Sequence, residues 1–255
     1  MPHDFSFRVV GSGDAYDSER TNASLLVQQA DFSLLIDCGP WVPKVLLGGL
    51  LEPNQLDAIY ITHSHPDHCS GLTTLLNWMD AKGRKKPLTI VAQRAQWEVL
   101  KPLVEFAYWP QAALGFEVDW LDSLSVEAIG PWAVEVAPTQ HAVSNLSVQL
   151  RLSSGQALFY SGDGKLLEQG RNLAAQSDWV FVECETLASH PSHGSWQEIE
   201  AYSRKPGSSW WLYHIDPQCR PALRAEVQSK MGLDVAEDGY IFKGIENKDY
   251  LIFHE

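Results

Sequence analysis

Positive charge is what this chain has little of. It carries 19 Lys and Arg against 32 Asp and Glu, a formal net charge of −13, and no basic stripe beyond the short cluster from Lys82 to Lys86. A protein whose affinity rests on many phosphate contacts along a nucleic acid needs the opposite balance. Cysteine is sparse as well. Cys38, Cys69, Cys184 and Cys219 are scattered without a CxxC, so reduced thiols in a cytoplasmic protein are expected rather than a disulfide scaffold. No apolar run approaches the ~20 residues that span a bilayer. The stretch from Met1 to Val10 alternates like a strand and lacks the basic start and apolar centre of a secretion signal. Linkers, low-complexity tracts and fixed-period repeats are missing too, so residues 1–255 read as a single domain.

Histidine, by contrast, is concentrated in one place. His63-Ser64-His65-Pro66-Asp67-His68 brings three imidazoles and a carboxylate into six residues. The apolar, β-branched run from Leu56 to Thr62 before it reads as a strand, and a helix is expected from near Gly71. Imidazole and carboxylate are the donor set that suits zinc, with manganese or iron also able to take it. A solvated histidine loop would need no metal, but this density at a strand end argues against that reading. Alternation predicts strands over 6–10, 24–28, 33–37, 58–62, 88–92, 116–120, 125–129, 133–138, 146–152, 157–161, 179–183 and 210–213, with short strands near Tyr240 and Tyr250. Helical spacing covers 42–51, 72–81, 94–106, 166–175, 195–203 and 221–231. The basic segment from Lys82 to Pro87 reads as a solvated loop.

A catalytic metal draws ligands from several strand ends. His141 follows the strand over 133–138, Asp163 lies in Ser161-Gly162-Asp163-Gly164, and His214 follows Trp210-Trp211-Leu212-Tyr213. Each alone reads as an ordinary polar residue; with the cluster they make a set. On these residues the chain resembles the metallo-β-lactamase-fold superfamily of metal-dependent hydrolases. It has the HxHxDH signature, then His141, Asp163 and His214 in the family's order. The likeness runs from Gly11-Ser12-Gly13-Asp14 and Ile36-Asp37-Cys38-Gly39 to the terminal strands. The resemblance implies an α/β fold, a four-layer αββα sandwich, with two divalent metal ions at one edge between the sheets. It implies that His63, His65 and His141 hold one metal and that Asp67, His68 and His214 hold the other. Asp163 and a hydroxide would bridge them. Asp67 would also orient that hydroxide or take its proton, and Asp37 would accept a hydrogen bond from behind the ligands.

Val182-Glu183-Cys184-Glu185-Thr186, followed by His190-Pro191-Ser192-His193-Gly194-Ser195, resembles the ribonuclease Z and phosphodiesterase branch. That likeness implies a catalytic histidine which is not a ligand. His193 is the first candidate and His190 its competitor. Ser195 reads as a helix cap, with Glu198 completing a capping box. His3 and His254 read as surface residues. The long basic arm of ribonuclease Z is not visible, and the acidic balance disfavours nucleic acid as partner. A small phosphodiester, such as a cyclic nucleotide or cyclic phosphate, is therefore preferred to tRNA 3′-processing. Hydrolysis of a carbonyl ester, lactone or thioester on the same metals is a competing reading. A non-enzymatic metal-binding role is opposed by the intact ligand set. Phe106, Tyr108, Trp109, Phe116 and Trp120 suit core packing, a wall over the substrate, or a homodimer surface.

Overall fold

Alternation in Phe5-Ser6-Phe7-Arg8-Val9 turns one face inward and forms strand β1 (Phe5–Gly11). The structure, a computed structural model, describes residues 5–244 and the backbone of 245 and 248–252; His3 and His254 lie outside the described residues. The chain divides into two units, one holding 5–11, 20–125 and 237–252, the other 12–19 and 126–236.

In the first unit, β1 is followed by β2 (Ser24–Gln29), β3 (Phe32–Ile36), α1 (Val42–Val45), β4 (Ala58–Tyr60), α2 (Pro66–Cys69), α3 (Leu72–Ala81), β5 (Leu88–Ala92), α4 (Trp97–Tyr108) and β6 (Val118–Asp122). β1 to β3 pair antiparallel, whereas β3 to β6 pair parallel. The inner parallel strands are covered on both faces, which is why β4 is apolar throughout instead of alternating. α3 buries Leu72, Leu75, Leu76 and Met79. That spacing is the helical stripe read from the sequence, and each such side chain stabilises the core by roughly 1.5–3 kcal/mol. α2 is a single turn, too short to leave a period. It is started by the extended backbone of His65 and by Pro66, whose missing N–H needs no partner there.

The second unit runs through β7 (Ala128–Ile129), β8 (Trp132–Gln140), β9 (Leu146–Arg151), β10 (Ala157–Tyr160), β11 (Lys165–Leu166), α5 (Glu168–Gln176), β12 (Trp179–Glu183), α6 (Trp196–Ile199), β13 (Ser209–Tyr213), α7 (Arg220–Val227) and β14 (Leu233–Val235). Its sheet has the order β11-β8-β9-β10-β12-β13-β14, with β7 beside β8. β10, β12, β13 and β14 are parallel. Two last strands, β15 (Ile241–Ile245) and β16 (Lys248–Ile252), return to the first sheet, whose order is β16-β15-β1-β2-β3-β4-β5-β6.

Each sheet thus contains a parallel block, and such blocks place binding groups beyond the carboxyl ends of their strands. Asp37 follows β3 and His63 follows β4; Asp163 follows β10, Glu183 ends β12 and His214 follows β13.

Three expectations change. The helix over 195–203 shrinks to the single turn α6, because Trp196 and Ile199 supply its buried face and Pro206 stands close beyond. The capping box does not form: Ser195 Oγ donates to Glu198 Oε2 at 2.8 Å. The basic loop is not wholly solvated, since Arg84 is fully buried. Its guanidinium donates to the carbonyls of Lys86 (2.7 Å), Pro53 (2.6 Å), Leu56 (2.8 Å) and Pro87 (2.7 Å), and lies 5.2 Å from the Phe116 ring centroid. Burial pulls its pKa down to about 10, with Asp57 opposing, so it stays charged at neutral pH. A planar fork of donors can serve that many carbonyls; a lysine ammonium cannot.

Of the mid-chain aromatics, Phe116 is buried, Tyr108 and Trp120 are half-buried, and Phe106 and Trp109 are exposed. All four cysteines are free thiols. Among the described residues, no helix is long and apolar enough to cross a membrane. Arg84→Met should lower the unfolding free energy by at least about 3 kcal/mol in urea titrations, because several buried carbonyls lose a charged donor at once. Lys85→Met, on the surface, should change it by less than about 0.5 kcal/mol.

Candidate metal centre

In the first unit the clustered histidines are organised around Asp37. This carboxylate is buried and sits just past β3 with left-handed backbone (φ 59°), a conformation that non-glycine residues adopt only when the surroundings impose it. It accepts the Thr62 N–H at 2.8 Å, the Thr62 hydroxyl at 2.9 Å and His68 Nδ1–H at 2.8 Å. Because the Thr62 hydroxyl proton goes to Asp37, its oxygen is left to accept His63 Nδ1–H at 3.1 Å. One carboxylate thereby sets the tautomer of two rings, and both present Nε2. His63 Nε2 lies 3.0 Å from His65 Nδ1, and His68 Nε2 lies 3.1 Å from Asp67 Oδ2. Two donors on one tetrahedral zinc are about 3.3 Å apart, so both spacings are those of neighbouring ligands. Burial pushes the Asp37 carboxyl pKa up, and the charge and hydrogen bond of His68, then the backbone and side-chain hydrogen bonds of Thr62, oppose it.

The backbone under the cluster is clamped. Cys38 N–H donates to His68 O at 2.7 Å and Gly71 N–H to Cys38 O at 2.9 Å. A Cβ on Gly39 would lie 2.0 Å from Asp67 O, so only glycine lets the two chains approach this closely.

In the second unit Asp163 faces two imidazoles. His214 Nε2 is 3.4 Å from Asp163 Oδ2 and His141 Nε2 is 3.9 Å from it. Each ring is held from behind: His214 Nδ1 by Glu185 Oε2 at 3.0 Å, His141 Nδ1 by the Ser192 carbonyl at 2.9 Å. His214, like Asp37, takes a left-handed backbone (φ 52°) at a strand end, and its N–H donates to Ser12 O at 2.9 Å.

His193 bonds through Nδ1 to Glu183 Oε1. Glu183 is fully buried and also accepts the N–H groups of Gly164 (2.5 Å) and Gly194 (2.9 Å). Asp163, Glu183 and His193 offer ligand atoms within 4.8 Å of one another. His190 lies one ring further out, 5.1 Å from His193 between centroids, and its Nδ1 accepts Ser192 N–H at 3.3 Å. Burial alone would lower the His193 pKa. The hydrogen bond and charge of Glu183, followed by Asp163 and Glu185, outweigh burial and hold it above the usual value. Burial raises the Glu183 carboxyl, against the pull of His193.

Asp37, His63, His141, Asp163 and His214 therefore follow strand ends, His65, Asp67 and His68 lie at and in the single turn α2, His193 lies in the loop before α6, and within each unit the ligand candidates meet. Sequence reading had not given roles to Thr62, Glu183 and Glu185. Glu183 and Glu185 are two positions apart and so share a side at the end of β12, one behind His193 and the other behind His214. An acidic residue ending an otherwise apolar strand (Trp179-Val180-Phe181-Val182-Glu183) was the available signal. The donor set fits divalent metal: imidazoles with one nitrogen fixed by an acceptor, and carboxylates at ligand spacing.

A family model described as Anti-Pycsar protein Apyc1 matches residues 5–238. The chain belongs to this family. An anti-Pycsar protein Apyc1 of Bacillus phage 010DV004 is 31% identical over 232 residues, which is 84% of this chain and 90% of the relative. A ribonuclease Z of Aeropyrum pernix is 34% identical over 117 residues, 45% of this chain and 37% of that protein. Among solved structures, the metallo-β-lactamase fold protein YhfI of Bacillus subtilis superposes with a TM-score of 0.80 at 20% identity, covering 95% of this chain and all (100%) of that one. A diphosphatase of the PhnP family gives a TM-score of 0.73 at 18% identity, over 97% and 100% of the two chains. The chain has the metallo-β-lactamase fold, as the HxHxDH resemblance implied.

Glu185→Gln should weaken metal binding roughly 10- to 100-fold by calorimetry, while the metal-free protein keeps its thermal midpoint.

Proposed function

We propose that this protein is a two-metal phosphodiesterase acting on a small phosphodiester, with a cyclic nucleotide as first candidate. His63, His65 and His141 take one metal, Asp67, His68 and His214 the other, and Asp163 both. Zinc suits these donors, and manganese and iron also accept them. When bound, the metals supply charge stabilisation at the phosphoryl oxygens and a water ionised near neutral pH, its pKa lowered from about 15.7 to about 7.

The pairing of His193 with buried Glu183 beside Asp163 carries this reading. Glu183 holds the ring by Nδ1, which turns Nε2 outward as the proton donor, and its charge favours the imidazolium form. A departing alkoxide needs such an acid; a thiolate gains little from one. Asp67, half-buried next to His68, orients the attacking water or takes its proton. The net charge of −13 favours a small substrate over a polyanion. Similar proteins named as a ribonuclease and a diphosphatase agree with phosphate-ester chemistry.

With zinc or manganese the protein should hydrolyse bis-p-nitrophenyl phosphate, and Asp67→Ala should abolish this; full activity in that variant would overturn the mechanism. Metal analysis of replete protein should give two ions per chain, and fewer would overturn the two-metal assignment. His193→Ala should lower kcat on a cyclic nucleotide by about 10²–10⁴. It should matter much less for bis-p-nitrophenyl phosphate, whose leaving group needs no proton. Equal effects on both substrates would remove His193 from the proton-donor role.

A further inference from the structure

Asp163 sits in a loop that leaves the sheet at the end of β10. Gly162 (φ 62°) and Gly164 (φ 97°) take left-handed backbone on either side of it. Polar backbone groups from Ser161 O to Gly164 N–H therefore fall outside the strand ladder and need other partners. Side chains supply them. Asn145 Nδ2 donates to Ser161 O at 2.9 Å, and Asn145 Oδ1 accepts Asp163 N–H at 3.1 Å. The Thr139 hydroxyl donates to Asp163 O at 2.5 Å, and the Tyr213 hydroxyl to Gly162 O at 2.9 Å.

Asn145 and Thr139 stand at the two ends of one loop, which joins β8 to β9 and carries His141. Thr139 N–H donates to Asn145 O at 3.2 Å and closes that loop. Their side chains are joined as well. Asn145 Nδ2 donates to Thr139 Oγ1 at 3.0 Å, and the oxygen can accept because its own proton goes to Asp163. Asn145 is buried, and its amide fits one way only, with oxygen facing an N–H and nitrogen facing a carbonyl. The peptide groups before and after the Asp163 Cα are thus gripped by two side chains that also hold the base of the His141 loop.

This grip governs two distances at once. Asp163 Oδ2 lies 3.9 Å from His141 Nε2 and 3.4 Å from His214 Nε2, and in the proposed site those rings serve different metals. A carboxylate shared by two ions must hold its place against both; the other ligands answer to one. We propose that Asn145 and Thr139 are the positioning residues of this shared carboxylate and set the affinity of both metal sites together. The proposal rests on the two-metal reading of the site and deepens it. Pairing of β11 with β8 joins Lys165 to Gln140 and Leu166 to Thr139 through the backbone, so the chain should still fold when either side chain is replaced.

The test titrates zinc and, separately, manganese into metal-free wild type, Asn145→Ala, Thr139→Val and Thr139→Ser by calorimetry, with thermal midpoints measured in parallel. Gln149→Leu is the control for losing a buried amide of the same unit, since Gln149 Nε2 donates to Leu173 O and Ser177 Oγ, both at 2.9 Å. Asn145→Ala and Thr139→Val should each weaken both metal-binding steps about 10- to 100-fold. Thr139→Ser, which keeps the hydroxyl, should bind as wild type does. Gln149→Leu should lower the thermal midpoint and leave both affinities unchanged. Loss at one step alone, or a lowered midpoint with both affinities intact, in Asn145→Ala and Thr139→Val would overturn the positioning role, as would a Thr139→Ser variant no better than Thr139→Val. Wild type that binds two ions yet hydrolyses no phosphodiester would overturn the phosphodiesterase reading and leave this one standing. Wild type that binds fewer than two would overturn the two-metal assignment, and this proposal with it.

Discussion

A buried carboxylate behind an imidazole is the interaction on which the rest of this structure depends. It recurs as Asp37 behind His68 and Glu183 behind His193, and the half-buried Glu185 stands behind His214 in the same way. Each carboxylate chooses which ring nitrogen keeps the proton, and so which nitrogen can meet a metal or a substrate. Asp37 has the widest reach, because Thr62 passes its influence to His63 as well. The arrangement has an energetic cost. Burial disfavours the ionised carboxyl of both Asp37 and Glu183, and two of the strand-end residues hold left-handed backbone. A fold keeps such features where function needs rigid donors.

Rigidity comes from the parallel blocks of both sheets. β4, β10, β12 and β13 are buried on both faces and end close before candidate ligands or the carboxylates that orient them. The short loops after them are then fastened by backbone hydrogen bonds such as Cys38 to His68 and His214 to Ser12. Arg84 does the same work elsewhere in the first unit, joining loops around residues 53–56 and 84–87 through their carbonyls. The placement of the candidate ligands is therefore a property of the strand ends and their fastenings, and owes little to those side chains themselves.

Much of this was legible in the chain. The stripe of α3 and the apolar strands β5 and β12 were read at their observed bounds, because each has a clear period or a continuous apolar run between turn residues. The HxHxDH cluster named the fold. The failures share a cause. α2, β11 and β14 are two to four residues long and leave no period. Arg84 looked like a solvated cation because its acceptors are backbone carbonyls, which no sequence pattern displays. Glu183 and Glu185 were visible as a motif but had no role until His193 and His214 were placed beside them.

The sequence by itself determined the chemistry: which residues can hold metal, the order in which they occur, and an acidic surface that suits a small substrate. Local patterns suffice for that, since donor type and apolar period are properties of neighbouring residues. Only the tertiary structure decided which nitrogen each histidine presents, that His193 rather than His190 sits with Asp163, and that Asn145 grips the backbone of Asp163. Those outcomes depend on hydrogen-bond partners and burial supplied from tens of residues away, as with Asp37 and His68, which are 31 positions apart. Such contacts exist only once the chain has folded.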